Sequence, residues 1–485
     1  MGRVQEEEPE MSPGMNPARI GEEVPADLTP DTIVARSTPP GRGAMAVIRL
    51  SGGDAARILE SLTHASVPSP RRVELRVLRA PSGDQLLDQA LVTFFPGPDS
   101  YTGEDVVEIS THGGVLVPEL VLGACEALGA RRATAGEFTR RAYLNGKLDL
   151  LQVEAVQDLI EGRSRAGHRA AIHQLEGGLS NRVVEIRQGL IRLEVLLAHH
   201  LDFPDEDEPP TPLSHIGAEA IRLLRRVEGL LELAPEGILL REGALVVLAG
   251  PPNAGKSSLF NLLVGEERAI VTPEPGTTRD AVEATVSLDG FPFRLVDTAG
   301  LREAPGVVER LGVEVARRYL SSAEVVLYCH PADERWDDAG VGFLEDLGDR
   351  RILLLRTCSD RGDKVEDEAE WVGRLDPARQ GFSLRVSART GEGVPELREA
   401  LRNLVFGGIG GGEDEPLVTR ERHRRRLQRA ASGIDSFRRA LEDGVPADVA
   451  GVHLHDAAME LEELVGPVDP EEVLEHLFAS FCIGK

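Results

Sequence analysis

Cysteine is scarce. Four occur in 485 residues, at Cys125, Cys329, Cys358 and Cys482, and no two form a CxxC pair. That spacing excludes a disulfide framework and a structural zinc site, and it fits a reducing compartment. Aromatic residues make up 4% of the chain, too few for the stacking platforms that hold single-stranded nucleic acid. No uninterrupted apolar run approaches the ~20 residues of a membrane-spanning helix. The amino terminus, with Glu6-Glu7-Glu8, lacks the apolar segment of a secretory leader, so a cytoplasmic protein without membrane attachment is expected. Positive charge is outnumbered, with 54 Lys and Arg against 81 Asp and Glu and a net charge of −27. Such a chain does not grip a polyanion by bulk charge. A role with nucleic acid needs a local patch or a basic partner.

What is present is enough apolar residue, 41%, for several packed cores. At roughly 150 residues per domain the length suggests about three. Residues 1–30 are rich in Glu, Pro and Met without periodicity and are expected to be a disordered tail, or to precede a true start at Met11 or Met15. Residues 31–148 mix short β-rich runs with helical ones, as an α+β domain does. From 149 to 242 the apolar period is helical, with Val183, Ile186, Leu190, Leu193 and Leu197 on one face. Between 243 and 406, apolar strands alternate with helices, the pattern of a parallel sheet. Residues 407–414 form a Gly-rich linker, and 415–485 return to helix. The expected fold class is a multidomain α/β and α+β protein, in which an α/β domain interrupts a helical one. The basic run Arg420, Arg422, Arg424, Arg425 and Arg426 reads as a helix face balanced by acidic neighbours rather than a nucleic-acid patch.

The chemistry sits in the α/β part. Gly250-Pro251-Pro252-Asn253-Ala254-Gly255-Lys256-Ser257 follows the apolar strand Ala244–Ala249 and matches GxxxxGK[ST]. Glycines there let backbone amides wrap the phosphates of a nucleotide, Lys256 reaches the β/γ-phosphates, and Ser257 offers its hydroxyl to Mg²⁺. Asn253, Ala254, Gly255 and Ser258 complete that arc. Asp297-Thr298-Ala299-Gly300 ends another apolar strand, placing a carboxylate near Mg²⁺ and an amide near the γ-phosphate. Between them lies Gly276-Thr277-Thr278-Arg279-Asp280, whose hydroxyls can complete the metal shell. Two later loops read the base. Thr357-Cys358-Ser359-Asp360 stands where GTPases carry [NT]KxD, and Ser387-Ala388-Arg389 where they carry SAK. Asp360 can accept both N–H groups of guanine, which adenine does not supply. Cys358 in place of Lys leaves the ring uncovered, so GTP is expected to bind weakly. Leu301 follows DTAG where many small GTPases carry a water-orienting Gln, so another group must position the water. Asn253 reads either as a loop-stabilising side chain or as a ligand of a monovalent cation.

On these motifs the chain resembles the MnmE/TrmE family of tRNA-uridine-modifying GTPases. The segments that carry the resemblance are DTIVARSTPPGRGAMAVIRLSG (31–52), SYTGEDVVEISTHGG (100–114), AGEFTRRAYLNGKLDL (135–150), GPPNAGKSSLFN (250–261), GTTRD (276–280), DTAGLRE (297–303) and the terminal FCIGK (481–485). The resemblance implies an N-terminal folate-binding and dimerisation domain and a helical domain interrupted by a Ras-like P-loop GTPase domain. It further implies a homodimer, GTPase activity stimulated by K⁺, and an FAD-dependent MnmG/GidA-type partner in a heterotetramer. The pair would install a (carboxymethyl)aminomethyl group at C5 of uridine 34 in certain tRNAs, with the one-carbon unit from 5-formyl-tetrahydrofolate or a related reduced folate. Matched by position, Asn253, Thr272, Glu274 and Thr277 would surround K⁺. Ser257 and Thr278 would ligate Mg²⁺, and Glu309 would position water, with Lys256, Arg302 and Cys482 as further catalytic candidates. Arg49, Glu108, Lys147 and Lys485 would lie at the folate site. From the residues alone, Arg49, Glu108 and Lys147 read equally as members of surface ion pairs, and Cys482 as a small buried apolar residue. Two other functions share the motifs: a ribosome-assembly GTPase, and a degenerate nucleotide-binding scaffold.

Overall fold

The computed structural model describes residues 31–83, 85–202, 211–266, 283–298, 309–335, 338–348, 350–362, 383–409 and 416–466, with Phe481 and Gly484. They form two compact units. One comprises those up to Ala142 together with Phe481 and Gly484, and the other those from Tyr143 to Gly466.

The first unit contains β1 (Ile33–Arg36), β2 (Met45–Ser51), α1 (Ala55–Thr63), β3 (Glu74–Arg79), β4 (Leu86–Phe95), β5 (Val106–His112), α2 (Leu116–Ala127), β6 (Arg131–Arg132) and α3 (Glu137–Leu144), the last reaching across the division between the units. Its sheet runs β3-β4-β5-β2-β1-β6, antiparallel except where β1 meets β6. Side chains alternate across the pleat, so Ile48 and Leu50 of β2 and Val107 and Ile109 of β5 share one face. They pack there against Ile58, Leu59 and Leu62 of α1 and Val121, Leu122 and Cys125 of α2. The chain's far end belongs to this unit, where the Ser37 hydroxyl donates to the Gly484 carbonyl at 3.1 Å.

The second unit begins with α4 (Leu150–Glu161), whose start is fixed by a capping box. The Gln152 amide donates to Asp149 Oδ1 and the Asp149 amide to Gln152 Oε1, both at 2.9 Å. Then come α5 (Arg165–Leu175), α6 (Gly178–Asp202), α7 (Leu213–Glu232) and α8 (Ala234–Glu242). The α/β part follows as β7 (Ala244–Ala249), α9 (Lys256–Glu266), β8 (Glu283–Leu288), β9 (Phe291–Asp297), α10 (Glu309–Ser322), β10 (Val325–Pro331), α11 (Asp338–Asp346), β11 (Arg351–Thr357), β12 (Ser383–Arg385) and α12 (Val394–Phe406). Two long helices close the unit, α13 (Glu421–Glu442) and α14 (Ala447–Val465). The α/β sheet runs β12-β11-β10-β7-β9-β8 and is parallel except for the β8–β9 hairpin. Phe406 of α12 stacks on Phe291 of β9, with ring centroids 4.9 Å apart.

Helices from both sides of the α/β part share one core. Leu190, Leu193 and Leu197 of α6 and Val227 of α7 pack with Leu427, Ile434 and Phe437 of α13 and Leu454 and Leu461 of α14. The helical part is therefore interrupted, as the fold class anticipates. No helix among the described residues is long and apolar enough to cross a membrane.

The basic run at the start of α13 is matched by acids. Arg422 and His423 bind the buried Glu154 carboxylate of α4, His423 at 2.5 Å. Arg424 and Arg425 pair with Glu421, and Arg426 with Glu460 and Glu463. Burial alone would raise the Glu154 carboxyl, but His423, Arg422 and Arg420 outweigh it and hold the group well below its ordinary value of 4.5. Removing one partner of a buried ionic cluster strands the others, at a cost of about 3–5 kcal/mol. Glu154→Gln is thus expected to lower the melting temperature of the helical part at pH 7. A group whose pKa is depressed on folding contributes stability above its unfolded pKa and loses it as pH falls. The gap between wild type and variant should therefore shrink as pH falls below 4.5. Thermal melts at pH 7 and pH 3.5 (roughly one unit below the unfolded pKa) check both points.

Candidate nucleotide-binding site

All six residues of β7 are buried, and the chain leaves the strand directly into the glycine loop. Gly250 has φ +137°, and a Cβ there would lie 2.1 Å from the Cys329 carbonyl oxygen on neighbouring β10. Only glycine fits that close approach. Asn253 is exposed and left-handed at φ 62°. The loop then runs into α9, so its amides collect at a helix N-terminus, where anions bind.

Lys256 is only 6% exposed. Its ammonium donates to the Gly250 carbonyl at 3.0 Å and the Pro251 carbonyl at 2.7 Å, which folds the side chain back over its own loop. The Ser257 hydroxyl donates to Asp297 Oδ2 at 2.5 Å, and the Thr298 hydroxyl to the Leu248 carbonyl at 2.8 Å. These contacts bring the ends of β7 and β9 together. A hydroxyl and a carboxylate oxygen side by side at a phosphate loop are hard donors of the kind Mg²⁺ takes alongside nucleotide phosphates, so the residues fit that ion.

The base loops close the other end of the same cavity, about 1210 Å³ in volume. The Thr357 hydroxyl donates to the Ala254 carbonyl at 2.7 Å, tying the end of β11 to the phosphate loop. Cys358 is left-handed at φ 56°; its Sγ lies 3.5 Å from where a Cβ on Gly255 would stand. Asp360 accepts the Ser387 hydroxyl at 2.8 Å and pairs with Arg389. The Ser387 hydroxyl first, and then the Arg389 charge, hold the Asp360 carboxyl below its usual range. Ser387 Oγ also receives the amides of Arg389 and Thr390, so the loop is organised around this one serine. Ser258 and Ala388 line the same cavity.

The structure thus gathers Asn253, Ala254, Gly255, Lys256, Ser257 and Ser258 with Asp297 and Thr298, and with Thr357, Asp360, Ser387, Ala388 and Arg389, at the C-terminal ends of four parallel strands. That is where ligands bind in open α/β sheets. Tyr328 and Phe343 also line the cavity, their rings 5.6 Å apart. Sequence reading passes over both, because each lies in an apolar run that reads as core. Thr272, Glu274, Gly276, Thr277, Thr278, Ala299, Gly300, Arg302, Cys482 and Lys485 lie outside the described residues. Glu309 opens α10, and its side chain is likewise outside them.

In the first unit, Arg49 and Glu108 face each other on β2 and β5 and form an ion pair of 2.7 Å. The Arg49 guanidinium also lies 5.5 Å from the ring centre of Tyr101 and 5.8 Å from that of Phe138. Neither aromatic is anticipated from sequence, although Tyr101 stands inside SYTGEDVVEIS. Lys147 is exposed and belongs to the second unit.

Comparison with known proteins identifies the family. Residues 32–147 match the family described as the GTP-binding protein TrmE N-terminus, and residues 150–482 the MnmE helical domain. The chain is 39% identical over 467 residues to the tRNA modification GTPase MnmE of Moorella thermoacetica, covering 94% of this chain and 99% of that one. It is 38% identical over 469 residues to the protein of the same name from Heliobacterium modesticaldum, with the same coverage. Among solved structures, the G domain of the T. maritima FeoB iron transporter covers 33% of this chain and 98% of its own, at 28% identity and a TM-score of 0.25. With family matches running from residue 32 to residue 482 and relatives aligned over nearly their whole length, the chain belongs to the MnmE family.

Proposed function

We propose that the chain is a tRNA modification GTPase whose G site is the cavity between the phosphate loop and Asp360. The observation that carries the reading is the convergence of two selective groups on that cavity. The Ser257–Asp297 oxygen pair suits a magnesium-bound phosphate, and the Asp360 carboxylate, kept ionised by Ser387 and Arg389, suits guanine. Mg²⁺ would bind at Ser257, with Asp297 beside it and Thr278 completing the set, and would withdraw charge from the phosphates. Lys256 offsets the negative charge that grows on the β/γ oxygens as the bond breaks. With Leu301 unable to orient water, Glu309 takes that part, with Arg302 nearby in sequence.

The finer reading follows the family. Asn253, Thr272, Glu274 and Thr277 hold K⁺, which supplies further charge compensation when two G domains of a cytoplasmic homodimer meet. Arg49, Glu108, Lys147 and Lys485 hold a reduced folate. The Arg49–Glu108 pair supports this, since a guanidinium beside the Tyr101 ring and a facing carboxylate offer both charges to a pterin-glutamate ligand. An FAD-dependent MnmG/GidA-type partner joins in a heterotetramer, Cys482 serves the modification, and the product is a (carboxymethyl)aminomethyl group on uridine 34.

The test is GTP hydrolysis in KCl against NaCl at equal ionic strength. Wild-type protein is expected to turn over at least about ten times faster in KCl, a barrier difference of roughly 1.4 kcal/mol. Asn253→Ala should bring the two rates together. A variant that keeps the full K⁺ preference would remove Asn253 from the ion's shell. A wild type without GTP hydrolysis in either salt would overturn the reading itself.

A further inference from the structure

The α/β part is inserted into the helical part, so the chain crosses between them twice. It goes out from α8 into β7 and returns through residues 416–420 into α13. Both crossings converge on one carboxylate oxygen. Asp158 Oδ1, on α4, accepts from Arg241 Nε at 2.9 Å and from Arg420 Nη2 at 2.7 Å. Arg241 is in the last turn before β7, and Arg420 is the residue on which α13 starts. The Asp158 side chain is 11% exposed. Arg420 also donates to the Gln157 side chain and the Glu154 carbonyl. Glu154, four residues earlier on α4, takes Arg422 and His423. One helix face, through acids at i and i+4, therefore holds the returning chain, and its second acid holds the outgoing one as well.

The two crossings also touch directly. A Cβ on Gly237 of α8 would lie 2.4 Å from the Val418 carbonyl oxygen, so the returning segment passes against α8 there. On the opposite side, the Ala166 amide at the start of α5 donates to the Gly290 carbonyl at 2.9 Å. Gly290 is in the turn before β9, and β9 ends at Asp297 in the nucleotide site. A cavity of about 230 Å³ runs along this seam, with Asp158, Arg241 and Thr419 on the helical side and Thr285 and Pro292 on the sheet side. The seam thus combines the polar contacts around Asp158 with apolar packing, in which Ala166 of α5 and Leu240 of α8 join the core of the α/β part, beside open space.

We infer that Asp158 is a positioning residue: it pins both crossings and so fixes the angle at which the nucleotide-binding part stands on its helical support. Its consequence for tRNA modification rests on the function proposed above. Movement at the Asp297 end of β9 then passes to the helical part through the held crossings as well as through the Ala166–Gly290 hydrogen bond.

The experiment compares full-length Asp158→Ala and Asp158→Asn with wild type in the complete modifying complex, with Glu161→Gln as a control. Glu161 is an exposed acid on the same helix lining the same cavity, and the Gln157 amide it accepts at 3.0 Å can be accepted equally by a glutamine oxygen. Hydrogen exchange is expected to rise about ten-fold or more at residues 417–420, at the α8–β7 junction and at the Ala166 amide, with α6 and the phosphate loop unchanged. GDP affinity should stay within about two-fold, while modified wobble uridine falls at least ten-fold. Asp158→Glu should restore both readouts in part, and Glu161→Gln should behave as wild type. Unchanged exchange at the crossings would overturn the inference. So would exchange that rises equally in α6, the mark of general destabilisation, or faster local exchange with modification at the wild-type level. The exchange measurement needs no nucleotide, so it stands or falls separately from the GTPase reading.

Discussion

Lys256→Ala is expected to lower GTP turnover by about a hundred- to a thousand-fold, a loss of roughly 2.7–4 kcal/mol of transition-state stabilisation. The size follows from where the ammonium sits. It is almost fully buried and held at the loop by two backbone carbonyls, so its charge is kept within the phosphate loop. A charge kept in that loop is little screened by solvent when it turns to the phosphates. Water entering the space left by the side chain restores neither the charge nor its fixed direction. Single-turnover hydrolysis at saturating GTP, with affinity measured separately, checks this. Turnover within three-fold of wild type would show that the buried amine only supports the loop.

Asp360→Asn should lower GTP affinity by about a hundred- to ten-thousand-fold. Hydrogen bonds to a charged group contribute roughly 1.5–3 kcal/mol each, and guanine presents two N–H groups to this carboxylate. The variant should instead bind a xanthosine nucleotide, because the Asn amide donates to the C2 carbonyl that xanthine carries in place of the amino group. The loop itself should survive. Ser387 can still donate to the amide oxygen, and the lost Arg389 pair, with Arg389 75% exposed, is worth little to stability. Calorimetry with GTP and with the xanthosine triphosphate separates the cases. Unchanged GTP affinity would place the base elsewhere.

The phosphate site was legible in the sequence because its chemistry is local. A buried strand, a glycine loop and a helix start occupy consecutive residues, and Gly250 admits no other side chain there. The base loops were legible for the same reason, since Asp360 and Ser387 follow apolar strands directly. Residues 415–485 read only as a return to helix, not divided into α13 and α14, whereas α4, α6 and α7 announced themselves separately. α5 and α8 did not: the first is mostly Arg, His, Ala and Gly, and the second continues from α7 without a polar break. Long-range pairing was the part that could not be read. Arg49 meets Glu108 only through the β2–β5 register, and Asp158 meets Arg241 and Arg420 only because 83 and 262 residues of chain return to one helix face. Charge composition is blind to both. The arginine run at α13 shows the converse, where a local excess of positive charge is consumed by Glu154, Glu421, Glu460 and Glu463.

The measurement closest to the central claim is nucleoside analysis of tRNA from cells lacking this chain. Those cells would be complemented either with the wild type or with Lys256→Ala. The account predicts that the aminomethyl-type uridine at position 34 disappears in the deletion, returns with the wild type and stays absent with Lys256→Ala. An unchanged wobble nucleoside profile in the deletion strain would contradict it.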